Sequence, residues 1–282
     1  MRHVMFVLFG IIALAAVLVH SSFSLGSRSF LRISDGATIT LAEVLPDLKN
    51  ASLIFVGELH DQKEHHELQL AVIRGLKEVG IPVAVGLEMF RAESQESLDR
   101  WVEGETSERE FKQIYYDNWT SPWSLYQDIF LYARTQRIPM IGLNVPGEIT
   151  RQVAQGGFSS LTPEQIGELP EVSCDVDTIY MEFIRRSFGQ HPHGTTEFTY
   201  FCEAQIVWDT AMAWHLVRFL KENPEHSVVV LAGNGHSWKR GIPEQIRRQS
   251  SYAYRVILPE EPGRLERRSV SAGDLDYLWL KM

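Results

Sequence analysis

The sequence predicts an α/β fold, a parallel-rich central sheet flanked by helices with a helical insertion, on three observations. Apolar runs of strand length alternate with amphipathic stretches of helix length over most of the chain, the pattern of a parallel sheet covered by helices. Four of those runs end in polar residues: 52–56 in Gly57-Glu58-Leu59-His60, 83–87 in Glu88, 140–143 in Asn144, and 228–232 in Gly233-Asn234-Gly235-His236. Ligands of open parallel sheets bind beyond the carboxyl ends of the strands, so four segments deliver polar residues to one edge. Between about residues 155 and 198 the alternation breaks, which marks the insertion.

Taken in order, residues 1–24 read as an export signal or a retained N-terminal anchor. Arg2 and His3 precede an apolar run over residues 5–19, and small polar Ser21, Ser22 and Ser24 follow it. The run falls short of the ~20 residues of a membrane span. Residues 25–49 supply a linker and a leading strand, and residues 50–282 a single domain. The first strand of that domain ends at Val56. Asp61 and Glu64 have the spacing of a helix start with Asp61 as the cap. That helix runs to about Val79, where Gly80 stops it, and Ile81-Pro82 leads into the next strand. Helices follow over residues 95–102, 108–116 and 124–137, then the strand into Asn144. A long helix covers residues 199–221, a buried strand 227–232, and Pro243 opens a short helix. Residues 253–258 and 277–280 are the final strands.

With 282 residues, 44% apolar and 22% charged, the chain can bury a substantial core without metal or disulfide staples. The formal charge is −9, and residues 1–24 contribute only Arg2 to it. An acidic chain with no basic stripe beyond Arg247-Arg248 and Arg267-Arg268 is not built to bind nucleic acid. Cys174 and Cys202 are expected to form a disulfide behind an export signal, closing a loop of about 28 residues worth ~3 kcal/mol.

Glu58 and His60 stand two apart, so an extended chain turns both to one side. His60 is then a metal or haem contact, or a hydrogen-bonded turn histidine. On the next helix His65 falls within the apolar stripe Leu68, Val72, Leu76 and Val79, with Gln69 beside it and His66 at the edge. A histidine there either faces the crevice or is a satisfied core residue. Glu88 ends a strand with no other charge and needs a metal, a histidine or an arginine as partner. The glycines around Asn234 let backbone approach a ligand that His236 contacts. Gln205 and Asp209, four apart on an apolar side of the long helix, orient His60 or His236 or form a helix-packing pair. Tyr115, Tyr116, Trp119, Trp123 and Tyr126 are core, or the platform for a flat ligand such as a porphyrin with a tyrosinate on its iron. His191-Pro192-His193 is an exposed turn or a further ligand contact.

Several short motifs together resemble one family. They are G-E-x-H-D at residues 57–61, His66-x-x-Gln69, Glu88-Met89-Phe90, Leu143-Asn144-x-Pro146, Cys202-x-Ala204-Gln205 and A-G-N-G-H-x-x-x-x-G-I-P at residues 232–243. The set is similar to the ChaN-like haem-binding uptake proteins, relatives of the Tiki and TraB membrane-associated proteins and of erythromycin esterases. The resemblance spans roughly residues 50–260. It implies an exported α/β domain in the periplasm or cell envelope that serves haem or iron acquisition. It also implies haem at a homodimer interface, with a tyrosine (Tyr116 or Tyr126) on the iron and a histidine near the propionates. On this reading His60, His65 or His66, Glu88 and His236 line the site. Members are typically lipoproteins, whereas no Cys ends the apolar run here. Tiki-like relatives act as metal-dependent proteases. They imply an alternative in which Glu58, His60 and His236 hold a divalent metal ion and Glu88 is the general base of a hydrolase. A catalytically silent envelope scaffold is a third reading.

Overall fold

In the computed structural model, which describes residues 29–172, 178–188 and 197–280, the apolar runs pair as a largely parallel sheet. The elements are β1 (Ser29–Arg32), β2 (Thr38–Thr40), α1 (Leu41–Leu48), β3 (Leu53–Glu58), α2 (Lys63–Glu78), β4 (Val83–Arg91), α3 (Gln95–Glu103), α4 (Glu108–Asn118), α5 (Trp123–Gln136) and β5 (Met140–Asn144). There follow α6 (Gly147–Gly156), α7 (Pro163–Gly167), α8 (Thr178–Phe188), α9 (Phe198–Glu222), β6 (Ser227–Gly233), α10 (Asn234–Ser237), α11 (Ile242–Gln249), β7 (Tyr254–Pro259) and β8 (Tyr277–Trp279). The strand order is β2-β1-β8-β7-β3-β6-β4-β5. All neighbours from β8 to β5 are parallel, and the β1–β2 hairpin joins β8 antiparallel at one edge.

Every residue of β3 and of β6 is buried, as expected of strands covered on both faces. Alternation sorts their side chains between two cores. Ile54, Val56, Val229 and Leu231 face a core shared with α1 to α5, and Leu53, Phe55, Val228 and Val230 face one shared with α8, α9 and α11. β3, β6 and β4 lie side by side, so their carboxyl ends, which carry Glu58, Gly233 and Glu88, form one continuous edge.

Four expectations are corrected. The segment before residue 50 is more than linker and strand: it forms the hairpin and α1, whose Leu41, Val44, Leu45 and Leu48 are buried. Asp61 does not cap α2, because the chain keeps turning until Lys63 and Gln62 stands at the N-cap without a side-chain bond. The strands also outrun their predicted ends, β3 through Glu58 and β4 through Arg91, with a register shift between Leu87 and Arg91 where β4 parts from β6. Finally, Cys202 is a free buried thiol rather than half of a bridge; Cys174 lies outside the described residues, as do His191, His193 and residues 1–24. No helix among the described residues is long and apolar enough to cross a membrane.

Candidate functional site

Glu58 continues the row Ile54, Val56 into the core beneath α2 and α5 and is 1% exposed. A charge so placed requires partners. His60 Nδ1 lies 2.7 Å from Oε1, which also accepts the Tyr126 hydroxyl. Gln69 Nε2 donates to Oε2 at 2.7 Å, and His66 Nε2 stands 3.5 Å from the same oxygen. Burial works against the charged carboxylate, but the hydrogen bonds and positive charge of His60 and His66 outweigh it and hold its pKa well below the usual range. His60 answers in kind. Burial lowers its pKa, while the bond to Glu58 and the charges of Glu88 and Glu58 lift it, with a net rise. Its imidazole is 42% exposed, and the Trp119 ring stands edge-on with centroids 5.0 Å apart.

A second carboxylate–imidazole pair forms on the other side of the sheet edge. Asp209 is buried on α9, where its Oδ2 accepts the Tyr180 hydroxyl at 2.8 Å and its Oδ1 lies 2.6 Å from His236 Nδ1. Burial raises the Asp209 pKa despite His236 and Tyr180. Burial also opposes a charged His236, but Glu88 and Asp209 outweigh it and raise its pKa to about 9. With His236 raised to about 9, its imidazole keeps its proton at neutral pH. The Trp208 ring is edge-on to His236 at 5.8 Å.

Glu88 joins the two pairs. Beyond Leu87 β4 no longer pairs with β6, and the Glu88 carboxylate takes over by accepting the Gly233 N–H at 2.6 Å. Its other oxygen is 3.7 Å from His236 Nε2. Asn144 fixes the Glu88 backbone, donating to its carbonyl at 2.9 Å. Gly233 is where the backbone must come close. A Cβ there would lie 3.2 Å from His60 Cε1, 3.3 Å from His60 Nε2 and 3.7 Å from Glu88 Oε2.

Glu58, His60, Gln69, Glu88, Asp209 and His236 therefore meet at one edge, and other candidates do not serve as expected. His65 turns away: its Nδ1 accepts the Leu59 N–H at 2.9 Å and its ring meets Trp279, so it holds the β3–α2 turn. His66 is 2% exposed, lies against the Tyr126 ring at 4.0 Å and has no open face for a ligand. Tyr126 is fully buried, and burial together with Glu58 pushes its pKa far up, so it stays a phenol donating to Glu58 rather than a tyrosinate on iron. Tyr115 and Trp123 are likewise core, while Tyr116 is 50% exposed and accepts the Trp123 N–H at 3.1 Å. Gln205 makes no hydrogen bond to His60 or His236. Among the described residues no group of three or more His, Cys, Asp or Glu is placed to hold a metal ion, and in the expected set of Glu58, His60 and His236 both Glu58 oxygens are already taken. Sequence reasoning missed Tyr180, which carries no motif, and the edge-on Trp208, which reads as helix stripe.

A family model described as haem-binding uptake, Tiki superfamily, ChaN matches residues 44–246. No curated protein matches the chain in sequence. Among solved structures the fold is similar to that of ChaN from Campylobacter jejuni, described for its cofacial haem binding. The TM-score is 0.71 at 20% identity, over 89% of this chain and 96% of that one. It is also similar to the type III effector HopBA1, with a TM-score of 0.52 at 13% identity, over 84% of this chain and 90% of that one. At these identities the two likenesses speak for the fold.

Proposed function

Because this chain belongs to the haem-binding uptake family ChaN of the Tiki superfamily, we propose that it binds haem at the carboxyl ends of β3, β4 and β6, with His60 facing the ligand. The observation that carries this reading is the setting of His60. Its Nδ1 is fixed by the buried Glu58, its ring is 42% exposed, and its Nε2 lies over Gly233 with no hydrogen bond to a described residue. A carboxylate behind an imidazole fixes the ring and strengthens its outer nitrogen as a donor of electrons or hydrogen bonds.

The neighbouring groups suit the same ligand. Trp119 Nε1 is buried without an acceptor among the described residues, and a haem propionate would supply one. The half-exposed Tyr116 offers a phenol for the iron. His236, protonated at neutral pH, serves an anionic group better than a metal, because a ligating imidazole must first give up that proton. Bound haem would supply the iron centre; the residues of this chain hold and orient it. The cofacial binding described for the Campylobacter protein supports pairing of two chains as a homodimer around haem. The apolar run led by Arg2 supports export to the periplasm or cell envelope for haem or iron uptake.

Titration of the full chain with haemin, followed by visible spectroscopy and size-exclusion chromatography, tests the proposal. A saturable absorption band is expected, with a shift to dimer elution. His60→Ala and Tyr116→Phe are each expected to weaken or displace the band, and the variant that changes its position identifies the iron ligand. A spectrum that never saturates overturns the haem assignment.

A further inference from the structure

The same three parts occur in the same order on either side of the strand ends: a phenol, a buried carboxylate and an imidazole. On one side they are Tyr126 of α5, Glu58 of β3 and His60; on the other, Tyr180 of α8, Asp209 of α9 and His236. The two sets differ in one detail. Tyr180 donates to Asp209 Oδ2 at 2.8 Å, while His236 Nδ1 lies 2.6 Å from the other oxygen, Oδ1. Tyr126 donates to Glu58 Oε1, the same oxygen that His60 Nδ1 meets at 2.7 Å.

That detail has an electronic consequence. An ionised carboxylate only accepts, so His60 Nδ1 carries the proton of its bond to Glu58. The harder the carboxylate pulls on this proton, the more electron density the ring offers at Nε2, its outer nitrogen. Two donors on one oxygen draw on the same negative charge, so the Tyr126 phenol weakens the pull on His60 directly. A donor on the opposite oxygen, as Tyr180 is, acts only through the charge shared across the carboxylate.

The arrangement is also locked. Tyr126 is fully buried with its ring against His66 at 4.0 Å, and burial together with the charge of Glu58 keeps its hydroxyl protonated. Gln69 Nε2 holds Oε2 at 2.7 Å, so the carboxylate is not free to turn another oxygen toward His60. We propose that Tyr126 is a positioning residue that acts through Glu58 to restrain how strongly His60 Nε2 donates to the ligand of the strand-end site. The identity of that ligand rests on the haem reading; the restraint on His60 does not.

The test compares the full chain with Tyr126→Phe, Tyr180→Phe and Tyr126→ring-fluorinated tyrosine, whose more acidic phenol is a stronger donor. Nuclear magnetic resonance without haem, at a pH that holds the imidazole neutral, reads the His60 Nδ1 proton and ring nitrogens. Tyr126→Phe is expected to move the Nδ1 proton downfield, the fluorinated phenol to move it upfield, and Tyr180→Phe to leave it in place. Opposite shifts separate tuning from mere packing, and if Tyr126→Phe does not fold, the fluorinated chain alone carries the test. With haemin bound, Tyr126→Phe is expected to make the reduction potential more negative, because a stronger donor favours the oxidised iron. Unmoved His60 resonances overturn the proposal, as does an unchanged potential in a chain that binds haemin saturably. Shifted resonances in a chain that never saturates with haemin remove the haem reading and support the restraint on His60.

Discussion

His236 lies between two carboxylates, Asp209 at 2.6 Å and Glu88 at 3.7 Å, and this fixes how stability changes with pH. An unfolded histidine titrates near 6.5, whereas folding raises His236 to about 9. Its contribution is fully present below pH ~6.5 and is lost as pH rises toward the folded value, a term of at most about 3 kcal/mol. His60, also raised, loses its contribution in the same upward direction. Denaturant unfolding of the full chain between pH 6 and pH 9 is expected to show declining stability, and His236→Gln a flatter profile; equal slopes would contradict it. Glu58 has the opposite sign. Its lowered pKa stabilises the fold above the unfolded value of ~4.3, and that stability is lost as pH falls through the folded value. Glu58→Ala removes the acceptor of Tyr126, Gln69 and His60 together, so a loss of about 3–5 kcal/mol is expected in the denaturation midpoint. A shift under ~1 kcal/mol would mean that these donors find other acceptors.

The carboxyl end of β6 and the short helix after it explain why this edge tolerates so little side-chain volume. An added Cβ at Gly233 meets the His60 ring, which is half-exposed and able to shift, whereas at Gly241 it would lie 2.5 Å from the His236 carbonyl, which is backbone. Gly233→Ala is therefore expected to cost under ~1 kcal/mol of stability and to weaken haemin binding about tenfold. Gly241→Ala should cost ~2 kcal/mol or more, measured by thermal unfolding. These close approaches were legible in the sequence only as a glycine-rich turn after a strand. The elements themselves were more legible, because burial on both faces gives β3, β4 and β6 continuous apolar runs, and Gly80 at φ +83° marks the end of α2. Adjacent histidines were the harder case. His65 and His66 differ by 100° around α2, and periodicity fixes its buried side but not which of the two meets Glu58.

Across the whole molecule the strand order decides what can meet, and it was only partly readable. Glu58 and His60 converge because two residues separate them, but the Asp209–His236–Glu88 group depends on β6 inserting between β3 and β4, a long-range pairing no local pattern encodes. The same order explains the error at the N-terminal end. Residues 29–40, with Phe30, Leu31, Ile33, Ala37 and Ile39 in a short polar setting, read as part of a linker and a leading strand, yet β8 would be an open edge without the hairpin they form. Phe30 pairs with both Ile39 and Trp279, is fully buried, and joins the core shared with α1 to α5. If the hairpin is integral to the domain, Phe30→Ala should cost about 3–5 kcal/mol, as for a phenylalanine deep in a core. In denaturant unfolding, the midpoint should fall in a single cooperative transition, because the residue belongs to the same core as the site. A midpoint unchanged from the parent chain would make the hairpin an appendage, and β8 would then need some other cover for its edge.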